Sequence, residues 1–446
     1  MTLLTLVIVL LLYILAPNSY SLPYCILLEA IYLYAAIITW KKDTKMDFPG
    51  FHLIFSMSFF CVTYLYPTLV YPIVPDFSLF QFLHYSDSII TKCTALATFA
   101  YCLYCYGYTV QVKNTRNTID TACNQIVCPS KKIYNWTIIA FVLFILLGGL
   151  NYYAKMYSNG TADNVSSLVK YIVTFYPSFL LILCVVYRTG STNDKNEKKI
   201  LLSVLLMSAL IMTSGSRTIP LLAMTMFGYV FIEKHTINKM YVTLLLAVGF
   251  ACMVMVGEMR AEGTYISDGS DVGRLGMFTD LIVCTRNLYA AYDIVCTEGF
   301  TYGETLLADF LSPIPMLQSF ISDIFSIPGD FMGSAGFLTY KEFGFGSRLG
   351  LGTHIVADIY LCGGLLSLLL FYYLGKFVVK AREKMRSGNI LWSIVYIGFV
   401  GNAIYYARSS FFGNTRLLLW AILIFYLLYK SQYLQTVKQN RLNKIN

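Results

Sequence analysis

The chain has 446 residues, 57% of them hydrophobic and only 13% charged, with a mean hydropathy of +0.62 and a formal net charge of +9. Soluble domains carry about 25% charged residues, so the composition excludes an ordinary soluble domain. A transmembrane barrel is excluded too, because its short alternating segments are replaced here by continuous apolar runs.

Apolar stretches long enough to cross about 30 Å of hydrocarbon recur along the whole length. They predict an all-α polytopic integral membrane protein with about twelve transmembrane helices. The spans fall near residues 2–16, 21–40, 51–74, 89–112, 133–150, 167–187, 200–214, 218–233, 240–257, 352–378, 390–407 and 412–429. The first run has no basic residue ahead of it and no small-x-small cleavage site after it, so it reads as a helix and not as a signal peptide.

Lys and Arg collect on the cytoplasmic side of membrane proteins. The segments "KKDTKMD", "KNTRNTIDTACNQIVCPSKK", "RTGSTNDKNEKK", "KHTINK", "KFVVKAREKMR" and "KSQYLQTVKQNRLNKIN" follow alternate spans and hold 22 of the 33 basic residues. The loops between them hold few, so both termini are expected in the cytoplasm. This accounts for most of the positive charge without nucleic acid as a partner. The domain plan is then spans 1–9 in residues 1–256, a long outer loop over 257–351, and spans 10–12 with a basic cytoplasmic tail over 352–446. No internal repeat is evident.

The outer loop is too apolar for a solvated linker. "LGMFTDLIVCTRNLYAAYDIVC" can form an amphipathic helix, and "TLLADFLSPIPMLQSFISDIFSIP" is apolar but broken by prolines. Its apolar surface must be buried in the membrane interface or against the outer ends of the spans. It is expected to fold as a partly helical lid. Cys284 and Cys296 share this loop and are candidates to pair; the other cysteines read as small apolar residues. No spacing resembles a metal site.

On this map the outer side carries Arg217, Arg260, Arg274, Arg286, Arg348, Arg408 and Arg416, where the charge rule should deplete them. For Arg260, Arg274 and Arg286 an ion pair with an acid of the loop is the simpler reading. Arg217, in "TSGSRTIP" beside Ser216, has no Asp or Glu within ten residues. Arg217 and Arg408 border apolar spans, where an unpaired charge costs a few kcal/mol. Guanidinium groups bind phosphate oxygens bidentately and stay charged, and backbone amides at a helix start add to an anion site. An anionic headgroup such as a diphosphate fits this set. His354 and Asp358, in "GTHIVADIYLCGGLL", are four residues apart and share a helix face. They are either a general base with its orienting partner or a helix-end pair satisfying each other. No P-loop, G-x-S-x-G or H-E-x-x-H occurs.

Three stretches carry a family resemblance. "TSGSRTIPLLAM" resembles the Gly-[Ser/Thr]-Arg turn of bacterial O-antigen and related oligosaccharide repeat unit polymerases (Wzy-type). "GTHIVADIYLCGGLLSLLLFYYLG" resembles their late acidic, glycine-rich segment, and "NAIYYARSSFFGNTRLLLW" their late Ala-Arg motif with a second arginine downstream. The resemblance covers essentially the whole chain. It implies a glycosyltransferase of the bacterial inner membrane that acts at the periplasmic face. Donor and acceptor would be undecaprenyl-diphosphate-linked oligosaccharides, with undecaprenyl diphosphate as leaving group and no metal, nucleotide or other cofactor. Besides membrane lipid, the partner it implies is a chain-length regulator protein. Arg217, Arg408 and Arg416 would hold the diphosphate, with Ser216, Arg260, Arg274, Arg286 and Arg348 as further candidates; His354 or Asp358 would act on the acceptor hydroxyl. The related O-antigen ligases carry a small polar residue after the histidine. Here Ile355 follows His354, which favours polymerase over ligase. A lipid-linked oligosaccharide flippase is the other competing reading, but it calls for charges through the middle of the spans.

Overall fold

In a computed structural model of the chain, residues 2–43, 45, 47–75, 87–116, 130–158, 167–190, 195–235, 282–344, 347 and 350–445 are described. No β-strand occurs among them. The first half holds α1 (Leu3–Ile14), α2 (Leu22–Lys42), α3 (Phe51–Thr63), α4 (Ser88–Arg116), α5 (Ser130–Leu146), α6 (Gly149–Ser158), α7 (Ser167–Thr189), α8 (Lys195–Met212) and α9 (Thr218–His235). The second half holds α10 (Thr285–Glu298), α11 (Leu307–Leu311), α12 (Leu317–Phe325), α13 (Ser334–Phe343), α14 (Ile355–Ser367), α15 (Leu369–Arg386), α16 (Ile390–Tyr406) and α17 (Thr415–Ile445). The predicted ninth span, 240–257, lies outside the described residues, as does the first part of the long loop.

The α4 helix is the axis of the bundle. It packs against α1, α2, α10 and α15, and its contact with α15 is made by two glycines. A Cβ on Gly107 would stand 1.9 Å from the Tyr372 carbonyl oxygen, and one on Gly375 2.2 Å from that of Tyr104. Small residues are what let helix backbones meet closely in lipid. The outer helices turn large apolar side chains outward, among them Leu4, Leu146, Leu202 and Leu205, which are 68%, 74%, 61% and 58% exposed. Such a surface suits hydrocarbon rather than water.

Polar side chains mark the two ends of the bundle. At one end, Arg382 is bonded to Asp43 at 2.5 Å and to the Tyr108 hydroxyl at 2.8 Å, with both ionic side chains nearly sealed from solvent. Asp47 accepts from Arg386 and from the hydroxyls of Tyr229 and Tyr396. Arg188 forms a bidentate pair with Glu233 at 2.8 Å, and Lys234 and His235 converge on Glu197. The ionic groups apart from Glu233 come from four of the six basic segments predicted to follow alternate spans, so the described parts of those four gather at one end.

The cap segment, 282–344, packs over the other end. Thr285 donates to the Val62 carbonyl at the end of α3, and the Asn287 amide donates to the Leu351 carbonyl. Trp420, near the start of α17, donates its indole N–H to the Pro313 carbonyl at 2.6 Å and stacks on Phe175 of α7. The Met316 N–H donates to the Tyr171 hydroxyl. The described part of the apolar loop is therefore largely short helices, seated on α3, α7, α14 and α17.

Two expectations are corrected. The tenth span, expected as one helix over 352–378, is broken: α14 and α15 meet at 108°. Gly363 and Gly364 leave helical dihedrals there, Gly364 at φ +60°, and the Ser367 hydroxyl closes the corner by donating to the Ile359 and Gly364 carbonyls. The ring of Phe300 lies where a Cβ on Gly364 would stand, 2.7 Å away. With α15 running toward Arg382 and Arg386, α14 lies across the capped end. The second correction is that Cys284 and Cys296 do not pair. They sit at opposite ends of α10, some 18 Å apart at about 1.5 Å per residue, far beyond the reach of a disulfide.

Candidate functional site at the capped end

The turn between α16 and α17, residues 407–414, is held from three sides. Asp358 Oδ2 accepts from the Phe411 N–H at 2.8 Å. The Tyr406 hydroxyl donates to the Phe411 carbonyl at 2.7 Å, and the Ile355 N–H donates to the Ala407 carbonyl at 3.0 Å. On this rigid turn Arg408 lies over the Tyr405 ring, 5.1 Å from its centroid. Arg416 follows in the first turn of α17. The cap meets the turn through Asp309 of α11, which accepts from the Ser410 hydroxyl at 2.9 Å, and through Phe310, whose ring packs on Phe412. Asp309 lies within electrostatic reach of Arg416 and of Asp358. Burial raises the Asp309 pKa above the usual carboxylate value, and Ser410, the Phe412 N–H and Arg416 offset only part of that rise.

"TSGSRTIP" forms the corner between α8 and α9. Gly215 takes φ +81°, which a side chain disfavours, and Thr213 and Ser214 turn their hydroxyls back onto the Leu210 and Ile211 carbonyls. The Arg217 carbonyl accepts from the Leu221 N–H, so Arg217 stands at the first residue before α9, with the amides of the helix start behind it. The α9 and α16 helices run antiparallel: Tyr229 packs on Tyr396 and Met226 on Gly401. That register, continued to the capped end, brings Arg217 level with the turn that carries Arg408. Ser216 is fully buried; it cannot reach a ligand without movement of the corner.

The His354–Asp358 pair is not formed. His354 is the N-cap of α14, and its Nδ1 accepts from the Val356 N–H at 3.1 Å. Nδ1 therefore carries no proton, and Nε2–H faces the Thr63 hydroxyl at 3.2 Å. Both ring nitrogens are engaged in holding the start of α14 to the end of α3. Asp358 spends one oxygen on the Phe411 N–H instead.

Buried polar groups are almost always hydrogen-bonded, so exceptions call for explanation. Asp309 Oδ2, Asp358 Oδ1, Asn414 Nδ2 and Ser216 Oγ are buried and make no hydrogen bond of normal geometry. All four lie at the capped end, on elements that adjoin the arginines.

A family model for the O-antigen polysaccharide polymerase Wzy matches residues 1–441. The chain belongs to that family. No curated protein and no solved structure matches it. Membership makes this Wzy chain a membrane protein and a glycosyltransferase-like polymerase of lipid-linked oligosaccharide repeat units.

Of the residues expected to serve this Wzy chain, Arg217, Arg408, Arg416 and Asp358 share the capped end. Arg286 is half-buried in the first turn of α10, next to Thr285 and its bond to α3. Arg260, Arg274 and Arg348 lie outside the described residues. Asp309 and Asn414 were not anticipated. Their signal in the sequence is faint: a single carboxylate in the apolar run "TLLADFLSP", and an asparagine just before the last span, the usual residue of a helix N-cap.

Proposed function

We propose that this chain polymerises undecaprenyl-diphosphate-linked oligosaccharide repeat units, with the capped end facing the periplasm of a bacterial inner membrane. A hydroxyl of the incoming unit attacks the anomeric carbon of the growing chain, and undecaprenyl diphosphate leaves. Arg217, Arg408 and Arg416 hold the diphosphate and stabilise the charge that develops on it as the glycosidic bond breaks. Arg408 stands on a turn locked by Asp358, Tyr406 and Ile355, and Arg416 follows it in the first turn of α17, which keeps their backbone fixed before substrate arrives. Fixed donors need no reorganisation as charge develops, which is where such sites gain most. Asp358 is then a positioning residue for the turn.

The observation that carries this reading is the segregation of charge. Among the described residues, the ion pairs Arg382–Asp43, Arg386–Asp47, Arg188–Glu233 and Lys234–Glu197 lie at the basic end, and the cap itself contains one exposed pair, Lys341–Glu298. Arg408 and Arg416 lie at the other end, on the elements that also carry the unbonded polar atoms of Asp309, Asp358 and Asn414. The test is deletion of the gene in its host, with surface polysaccharide separated on a silver-stained gel. Core carrying a single repeat unit, with the ladder gone, supports a polymerase. Loss of the single-unit band as well places the protein at an earlier step or at ligation and rejects the proposal.

A further inference from the structure

Resting on that reading, we infer that Asp309 is the residue that takes the proton of the attacking acceptor hydroxyl, with the Asn414 amide as the neighbouring donor to the acceptor sugar. The geometry separates the two carboxylates of this end. Asp358 is fully buried, and its Oδ2 is committed to the Phe411 N–H that fixes the turn. Asp309 is half-buried, on the cap itself, and faces the same turn from the opposite side. Ser410 holds Oδ1 at 2.9 Å and so sets the plane of the carboxylate. Oδ2 makes no hydrogen bond of normal geometry, although the Phe412 N–H and the Arg416 guanidinium lie within electrostatic reach.

Asn414 adds an independent sign of a ligand. It is 7% exposed, precedes α17, and its Nδ2 has no acceptor. A buried amide donor and a carboxylate acceptor, offered from the turn and from the cap above it, match the donor and acceptor character of a sugar hydroxyl. The groups that bear on Asp309 are Arg416 from α17, Asp358 from α14 and Tyr406 from α16. Burial favours the protonated form of Asp309, only partly opposed by Ser410, the Phe412 N–H and Arg416, which suits a group that must hold the hydroxyl proton once it has moved.

The step balances within the proposed reaction. The acceptor oxygen forms a bond to the donor's anomeric carbon and passes its proton to Asp309 Oδ2. The bond from that carbon to the diphosphate oxygen breaks, and its electron pair stays on the diphosphate, beside the arginines. Both Asp309 Oδ2 and Asn414 Nδ2 are sealed while the cap sits on the turn, so the acceptor sugar reaches them as the cap lifts. The cap supplies the proton acceptor while the bundle supplies the charge for the leaving group.

The experiment uses the full-length protein in lipid and, as substrate, the undecaprenyl-diphosphate-linked unit that accumulates when the gene is deleted. Asp309→Asn keeps the shape and the Ser410 contact. It should lower kcat by about 10²–10⁴-fold with KM little changed, and it should remove the acid limb of the kcat/KM profile. Asp309→Glu should restore part of the rate and shift that limb. Ser410→Ala, which frees the carboxylate without removing it, should lose far less. Wild-type-like turnover of Asp309→Asn, or a loss confined to KM, overturns the inference while leaving the polymerase reading intact. Absence of turnover by the wild type overturns both.

Discussion

The indole N–H of Trp420 donates to the carbonyl of Pro313 at 2.6 Å, and the same ring stacks on Phe175 with centroids 3.7 Å apart. One side chain at the head of the last helix thereby fastens the cap to α7 and α17. Replacing it removes a hydrogen bond and a large buried ring at once.

Trp420→Ala should loosen the cap by about 3 kcal/mol, the scale found for truncating a large buried aromatic ring. Limited proteolysis should then cut within residues 312–330 well before the bundle unfolds, and polymer output should fall with it. Trp420→Phe, which keeps the stack and loses only the N–H, should fall between. Equal protection in all three proteins would show that the cap is held by other contacts.

His354 is a helix cap in this structure, so its substitutions should sort by capping ability. Asn and Asp cap well and Ala poorly, a difference of about 1 kcal/mol. His354→Asn should retain most of the wild-type ladder, and His354→Ala should lower the membrane level of the protein before it lowers activity per molecule. A well-expressed His354→Asn with no polymerisation would return His354 to the role of proton acceptor.

At the basic end, Asp43 and Arg382 are a sealed pair. Burial alone would raise the Asp43 pKa, but the bonds from Arg382 and Tyr108 prevail and hold it below the usual aspartate value. A carboxyl whose pKa is lower folded than unfolded contributes stability above its unfolded pKa, and loses it as pH falls through the folded one. Asp43→Asn leaves buried Arg382 with Glu383 as its remaining carboxylate, so it should cost less than the about 3–5 kcal/mol of a buried charge left wholly unpaired. Melting in detergent should therefore show a gap between wild type and Asp43→Asn at pH 7. That gap should narrow at acid pH, below the ordinary aspartate pKa of about 3.9. A gap that is constant with pH would mean that Asp43 is not the group whose charge stabilises Arg382.

Much of the architecture was legible because lipid restricts it: apolar runs must be helices, and alternate basic loops fix which ends gather together. Described helices cover most of the predicted spans. The break at Gly363–Gly364 was not legible, since "IVADIYLCGGLLSLLLFYYLG" is apolar throughout and hydropathy is blind to a 108° turn made by two glycines. The arginines at the capped end stood out as cations where few are expected. The separation of His354 from Asp358 did not. Spacing of four implies a shared face only inside a helix, and His354 is the residue just before it, its ring turned back onto the Val356 amide. Asp309 was hidden because its partner, Ser410, is 101 residues away.

The central claim is that arginines at the capped end hold the departing diphosphate. The direct measurement is release of undecaprenyl diphosphate from the lipid-linked repeat unit by purified protein in lipid, for wild type, Arg217→Ala, Arg408→Ala and Arg416→Ala. Each variant should be matched for folded protein by its melting curve. The account predicts a loss of about 10²–10³-fold in turnover for each arginine, the scale of removing one preorganised donor from developing charge, with lysine at the same positions restoring only part of it. Release at the wild-type rate by all three folded alanine variants would contradict it.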